Sequence, residues 1–280
     1  MILALGKNGQ LAKEFQKINK REIVYLSSSE LDLRHKDTIK LTLGRYQPEI
    51  ILNFTAYNFV DQAEQDPDNE LINSIALKEI AEHCKANNII LIHISTDYVF
   101  DGVVGNYMET DSTNPINAYG KAKLNGENFI RDICEQYFIL RTSWLYSLDG
   151  KNFLTTIINL YRNQKDFKGA DDLIGTPTSA RSLAEAINHL INNMNIEFGT
   201  YHFANTGKTS KYNFLKVIVD RLSQDEGAKQ KDILKVKNEY FKMIAKRPYN
   251  TSLKSEKFSH TFNYKIPTWE EELHSIMDNI

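Results

Sequence analysis

Short apolar runs alternate with stretches of helical period through the first 140 residues, and this alternation constrains the fold more than any other feature of the chain. Ile2–Leu5 reads as a strand, Gln10–Ile18 as a helix with Leu11, Phe15 and Ile18 on one face, and Glu22–Leu26 as a second strand. Lys36–Tyr46 is helical in period, Glu49–Phe54 is a third strand, and Pro67–Ala86 a helix carrying Leu71, Ile72, Ile75, Leu77, Ile80 and Ala81. Asn88–Ser95 is apolar almost without a break, as expected of a strand covered on both faces. Asn117–Glu135 is helical again and Tyr137–Arg141 is a strand. Strands separated by crossover helices pair in parallel, so the fold class is α/β, a doubly wound parallel sheet with helices on both faces.

The pattern loosens after Trp144, with helices expected at Asn152–Asn163, Ser179–Asn193 and Lys211–Leu222 and a short strand at Thr200–Ala204. Gln224–Lys237 is the most polar stretch and reads as a surface excursion. The expected division is a nucleotide-binding unit over residues 1–148 and a smaller lobe over 149–280, with about 168–204 returning to the main sheet. Basic and acidic residues nearly cancel, 34 against 36, which argues against nucleic acid or an anionic membrane surface as partner. The opening apolar run has no basic region before it, and no uncharged stretch approaches the roughly 18 residues of a membrane span. Cys84 and Cys134 form no CxxC pair and read as two reduced, partly buried thiols of a cytoplasmic protein. The seven His are scattered without HxH or HExxH spacing, so no metal is expected.

Chemistry enters at strand ends. The first strand runs into Gly6-Lys-Asn8-Gly9-Gln10-Leu11-Ala12. Gly6 allows a tight turn, Gly9 lets backbone approach a pyrophosphate on the next helix's N-terminus, and Ala12 stands where a third glycine is usual. The second strand ends in Ser27-Ser28-Ser29 with no acid at its tip to bind a ribose 2′-hydroxyl, which tilts the cofactor toward NADPH, with NADH also accommodated. Tyr and Lys stand four apart three times, at Tyr119/Lys123, Tyr161/Lys165 and Tyr212/Lys216. Only Tyr119/Lys123 comes after a buried strand that ends in Ser95-Thr96-Asp97, where a doubly wound fold holds its ligand. The other two pairs read as solvated neighbours on surface helices.

These segments resemble the extended short-chain dehydrogenase/reductase family, and within it the dTDP-4-dehydrorhamnose reductase group. The likeness runs through Gly6–Leu11, Glu30-Leu-Asp32-Leu33, Leu52–Tyr57 with Val60–Glu64, and Ser95-Thr-Asp-Tyr-Val-Phe-Asp-Gly102. It continues through Asn114–Glu127, Arg141–Tyr146, Gly175–Thr178 and Arg247–Asn250. The resemblance implies a Rossmann-type sheet with a C-terminal substrate lobe. It also implies NAD(P)H-dependent reduction of the 4-keto group of a nucleotide-linked 6-deoxyhexose, most simply dTDP-4-dehydro-L-rhamnose, for polysaccharide precursor synthesis. By it Tyr119 gives the proton, Lys123 holds the nicotinamide ribose and lowers the phenol pKa, and Thr96 hydrogen-bonds the carbonyl. Asn8, Gln10 and Leu11 would line the pyrophosphate, Asp32 and Leu33 the adenine, and Thr55, Ala56 and Tyr57 the far ribose and nicotinamide. Asn58, Val60, Val99 and Trp144 match sugar contacts, and Asn152 and Arg247 match positions facing the diphosphate.

Departures from the group's pattern bear on the sugar: Phe54-Thr55 come after Asn53 where small residues are usual, Asn58 replaces Thr, and Leu173 replaces Gln. Some members dimerise around magnesium held by glutamates. A homodimer is therefore open here, but Arg181 stands at a partner position to Glu14 and the metal is not expected. Two other readings compete: a reductase of another nucleotide-4-keto sugar, and a non-catalytic dinucleotide-binding subunit such as the regulatory subunit of methionine adenosyltransferase. The complete Thr96/Tyr119/Lys123 set weighs against the second, since a binder has no need of the acid.

Overall fold

The computed structural model describes residues 1–194, 197–225, 227 and 231–280. Its centre is a six-stranded, all-parallel sheet built from β1 (Ile2–Leu5), β2 (Ile23–Leu26), β3 (Ile50–Asn53), β4 (Ile90–Thr96), β5 (Tyr137–Thr142) and β6 (Gly199–His202). The order across the sheet is β6-β5-β4-β3-β1-β2, so the winding reverses between β1 and β3. Period-2 alternation sorts the side chains. Ile2, Ala4, Ile50, Leu52, Ile92, Phe138 and Leu140 face one side, Leu3, Leu5, Ile51, Leu91 and Ile139 the other. The first face is covered by α1 (Gln10–Ile18), by a later helix (Ala180–Asn192) and by Phe258 and Phe262 near the C-terminus. The second is covered by α2 (Lys36–Tyr46), α3 (Ala76–Asn87) and α4 (Ala118–Ile133). Both faces are dry, which explains why these strands read as continuous apolar runs.

The remaining helices are α5 (Phe153–Arg162), α6 (Ala180–Asn192), α7 (Lys211–Asp225), α8 (Glu256–Thr261) and α9 (Trp269–Met277). α5, α7 and α9 pack on one another through Leu154, Ile158, Phe214, Ile218, Trp269 and Leu273 as a separate core beside the carboxyl ends of the strands. The polar stretch 224–237 is only partly a surface excursion. Residues 226 and 228–230 lie outside the described part, but Ile233–Val236 is a strand paired in parallel with Phe167–Ala170. Its four residues, Ile-Leu-Lys-Val, make too short an apolar run to stand out from the charged residues on either side. Tyr161 is also not a solvated helix residue. It is 3% exposed in the second core and its hydroxyl meets Ser223 Oγ at 3.4 Å, because its helix face points at α7.

The helix before β4 contains a π-turn at Leu71–Ile75, a feature often found beside functional sites. There α4 presses against it closely enough that a Cβ on Gly126 would run into the Asn73 carbonyl oxygen. Gly126→Ala is therefore expected to cost about 1–3 kcal/mol of stability by overpacking. A lowered denaturant midpoint at unchanged slope would read it.

Candidate active site

A cavity of about 520 Å³ opens at the carboxyl ends of β1, β3, β4 and β5, beside the point where the winding reverses. It gathers twelve of the residues singled out from sequence: Gly9, Gln10, Leu11, Thr55, Ala56, Asn58, Val60, Thr96, Tyr119, Lys123, Trp144 and Asn152. The α1 N-terminus opens onto it. Gly9 caps that helix without a side-chain hydrogen bond, and no acid stands in the first turn, so its N–H groups are free to meet an anion. Gly6 sits at φ +93, and a Cβ there would lie 3.1 Å from the Phe54 carbonyl carbon and Thr55 Cγ2. Only glycine turns the chain this tightly beside β3. These features fit a dinucleotide's pyrophosphate.

Thr96 ends β4, and α4 begins one residue before Tyr119, its N-cap Asn117 accepting from the Gly120 N–H at 2.8 Å. The helix brings Tyr119 and Lys123 one turn apart toward the strand end. Thr96 Oγ1 donates to Asp97 Oδ1 at 3.1 Å and accepts from the Tyr98 N–H at 3.2 Å. Asp97 is 3% exposed and accepts also from Ser143 Oγ at 2.8 Å and from the Thr251 hydroxyl. Burial raises its carboxyl above the ordinary value against those hydroxyls. Burial likewise raises the Tyr119 phenol, Thr96 pulls it down, and Asp97 pushes it up. Lys123, expected to act on that phenol, lies one helical turn further along α4. Its Nζ turns away from the phenol, donating to the Ile94 carbonyl at 2.7 Å and touching His93 Nε2 at 3.2 Å.

Other expectations fare unevenly. Val99, matched to a sugar contact, is fully buried with Phe100, Tyr107 and Leu253 and faces away from the cavity. Its short 3₁₀ turn after Thr96 rotates it into the core. Leu33 is buried under β2, so only its backbone is open to a ligand. Asp32 is held by Arg34, which makes a 2.6 Å contact and keeps its carboxyl low, at about 2. An acid does sit at the β2 tip. The turn after Ser27 folds Glu30 back, and its carboxylate takes the Ser27 N–H at 2.8 Å and hydroxyl at 2.7 Å. Asn8 is exposed in the glycine turn. Tyr57 packs with Tyr119 and Ala63 while its hydroxyl bonds Asp66 at 2.7 Å, so its backbone borders the site. Arg247 pairs with Asp61 at 3.2 Å outside the cavity lining. Asn152 is spent as the α5 cap, accepting from Thr155 N and donating to Gln10, Ser147 and Asp149. Glu14 bonds Lys17 at 2.8 Å and Arg181 bonds Glu272 at 3.1 Å.

Sequence reasoning missed Asp97 as a buried hydroxyl acceptor, although it sits in the STD motif. It also missed Lys211, whose ammonium lies 3.6 Å from the Trp144 ring centroid and 4.5 Å from that of Phe153. Burial lowers Lys211 to about 7 while Asp97 pulls it up. Trp144 itself has φ +47, a strained conformation for a bulky side chain, held where a Cβ on Gly175 would strike its ring at 2.5 Å. Asn73 on the π-turn and Asn69 in the helical turn just before it were missed as well. Asn73 clamps both the N–H and the carbonyl of Tyr57, and Asn69 reaches the Ala118 carbonyl at α4.

Compared with known proteins, residues 1–280 match the family described as RmlD substrate binding domain. The chain belongs to this family. It is 31% identical to the dTDP-4-dehydrorhamnose reductase of Aggregatibacter actinomycetemcomitans, with 98% of this chain and 97% of that one aligned. It is 32% identical to the reductase of the same name from Burkholderia thailandensis, over 96% and 95%. Among solved structures, the dTDP-4-dehydrorhamnose reductase of Bacillus anthracis in complex with NADP superposes with a TM-score of 0.92 at 33% identity, over 100% and 99% of the two chains. The Clostridium acetobutylicum protein of that name gives 0.91 at 34%, over 99% and 98%.

Beneath the site, Glu127 of α4 is fully buried and bound by Arg141 of β5 at 2.7 and 2.9 Å, by Arg131 at 2.9 Å and by Ser95 Oγ at 2.5 Å. Burial pushes its carboxyl up, but Arg141 and the other donors win and hold it at about 2. Its contribution to stability is therefore complete above the ordinary value of 4.5 and is lost as pH falls from there toward about 2. Arg141→Met strands that carboxylate and should cost about 3–5 kcal/mol at neutral pH. Denaturant titrations should show the gap to wild type narrowing as pH drops below 4.5.

Proposed function

We propose that the protein reduces the 4-keto group of a nucleotide-linked 6-deoxyhexose, dTDP-4-dehydro-L-rhamnose to dTDP-L-rhamnose, with NADPH. The observation that carries this reading is the convergence of Thr96, Tyr119 and Lys123 with an uncapped α1 N-terminus in one cavity. End-to-end likeness to proteins named dTDP-4-dehydrorhamnose reductase, one of them in complex with NADP, supports the substrate and cofactor.

The α1 N–H groups and the Gly6–Gly9 turn would receive the pyrophosphate, with Gln10 beside it; Thr55, Ala56 and Lys123 would face the nicotinamide end. The hydride for the carbonyl carbon is what a bound reduced nicotinamide supplies. Tyr119 would donate to the carbonyl oxygen, where negative charge develops, and Thr96 would join it by turning its one hydroxyl proton from Asp97 to that oxygen. A phenol raised by burial keeps its proton until that alkoxide forms, which suits an acid used in reduction. Asp97 gathers three hydroxyls and so aligns Thr96. Trp144, Asn58 and Val60 offer the wall against which the hexose packs.

NADPH oxidation against dTDP-, UDP-, GDP- and CDP-linked 4-keto sugars tests the reading, with dTDP-4-dehydro-L-rhamnose turned over fastest. No turnover with any of them would favour the binding-subunit alternative, and a faster rate on another sugar would reassign the substrate. Tyr119→Phe should lower kcat by about 10²–10⁴ with NADPH binding retained. Tyr161→Phe and Tyr212→Phe should stay within about two-fold, since general-acid loss is confined to the group that meets substrate. Glu30 at the β2 tip would repel a 2′-phosphate, weakly because the carboxylate is exposed to solvent. Glu30→Gln should thus tighten NADPH by up to about five-fold relative to NADH, measurable as paired dissociation constants.

A further inference from the structure

The backbone sets Lys211 in the cavity wall. Thr209–Ser210 pairs antiparallel with Ile174–Gly175, and the Lys211 N–H donates to the Leu173 carbonyl at 3.0 Å. α7 starts there, the Ser210 hydroxyl accepting from the Asn213 N–H at 3.0 Å. The Lys211 side chain is half-buried and lines the same cavity as Thr96 and Tyr119. Its ammonium rests over two rings, those of Trp144 and Phe153, and Phe153 in turn stacks on Phe214 at 5.5 Å. Aromatic faces attract a cation, but an ammonium has three N–H donors to place. Among the described residues none of the three finds an oxygen: Lys211 Nζ enters no hydrogen bond and no ion pair. Asp97, the carboxylate that attracts it, is taken by Thr96, Ser143 and Thr251. A positive charge in the first turn of a helix also opposes the helix dipole. A cation left unpaired against these rules is the kind of local conflict that marks a functional position.

We propose that Lys211 is a specificity-determining residue whose ammonium donates to the diphosphate oxygens of the nucleotide sugar, selecting a diphosphate-linked hexose over a neutral one. The inference rests on the reductase reading and names what holds the charged part of that substrate. With C4 at Thr96 and Tyr119 and the hexose against Trp144, the anomeric oxygen and its phosphate lie across the pyranose ring, toward the lobe that carries Lys211. The residues matched to the diphosphate from sequence are committed elsewhere. Arg247 pairs with Asp61 outside the cavity lining, and Asn152 caps α5. The α1 N-terminus, the other anion-binding feature of the cavity, serves the dinucleotide. Lys211 remains, a compact charge with all its donors available, which suits a phosphate.

The charge state of Lys211 follows from the same surroundings. Asp97 is the single carboxylate among the residues lining the cavity; Lys151 lies before α5, and Tyr98, Tyr119 and Lys123 are its other titratable groups. On α7 itself, Tyr212 meets Lys235 instead. Burial lowers Lys211 to about 7, with Asp97 pulling the other way. A phosphate arriving at Nζ favours the ammonium. Above pH 7, binding therefore draws a proton from solution onto Lys211, whereas below it the ammonium is already formed.

The test is calorimetric titration of the NADP⁺-saturated protein with dTDP, UDP, GDP and CDP, at pH 8 in two buffers of different ionisation enthalpy. Wild type should bind one of these diphosphates with uptake of about one proton, fading toward pH 6. Lys211→Met keeps an unbranched stem over the rings. It should weaken that diphosphate by about ten-fold or more and take up no proton, with NADPH affinity unchanged. Lys211→Arg should keep the affinity without the proton uptake, because a guanidinium is always charged. The matching nucleoside, which has no phosphate, should bind wild type and Lys211→Met equally. Unchanged diphosphate affinity in Lys211→Met overturns the proposal, as does a wild type that binds no nucleoside diphosphate. An equal loss for the nucleoside overturns it too, since Lys211 would then act only through the shape of the pocket. A wild type that reduces no 4-keto sugar, yet binds a diphosphate through Lys211, defeats the reductase reading and leaves the diphosphate site standing.

Discussion

Glu127 and Arg141 form a salt bridge sealed from water, and the candidate active site is built on it. Arg141 lies opposite Ser95 in the β4–β5 register, and both reach Glu127 on the helix that carries Tyr119 and Lys123. Three elements are thus joined at one carboxylate directly below the cavity. A buried ion pair is a weak source of net stability, since desolvating both charges offsets most of their attraction. What it contributes here is geometry. A helix sliding by one turn on a greasy sheet face would lose little apolar contact, but it would leave a charge unpaired. The pair therefore fixes the height of α4, and with it the distance of Tyr119 and Lys123 from Thr96. The Asn69–Asn73–Tyr57 clamp does the same for the loop after β3.

Much of this was legible beforehand because the central sheet is dry on both sides. A strand such as Ile90–Thr96 has no solvent-facing side, its His93 and Ser95 being buried, and helices begin at capping residues that read plainly, as Asn117 and Asn152 do. The glycine turn and Thr96 were legible for a related reason: each sits at a strand end, where sequence position translates directly into place, while Tyr119 and Lys123 share a face one turn apart on α4. Val99, three residues past a strand, faces the core because a 3₁₀ turn redirects it, which no period records. Ile233–Val236 escaped because an edge strand alternates with lysines and resembles a loop. Glu30 escaped because a reverse turn, not distance along the chain, brings it to the β2 tip.

The C-terminal helices were not anticipated, although Thr268-Trp-Glu-Glu271 is a capping box and both of its reciprocal hydrogen bonds form. Their role explains the loose patterning after Trp144. The chain there serves two cores in turn, with α5 and α7 in the second lobe, α6 and β6 against the main sheet, and α8 and α9 one on each. Residues that alternate between two cores in this way show no single long periodicity.

The two tryptophans are placed in opposite surroundings. Trp269 is 4% exposed inside the second core, while Trp144 lines the cavity with its ring under the Lys211 ammonium. A cation resting on an indole alters its excited state, and a sugar packed on the ring would displace or reorient that cation. Emission from Trp269 would stay constant beneath this change. The protein thus carries a built-in fluorophore at the candidate site and an internal standard in its core, so that occupancy of the cavity beside Trp144 would be followed by light alone, without turnover and without a label.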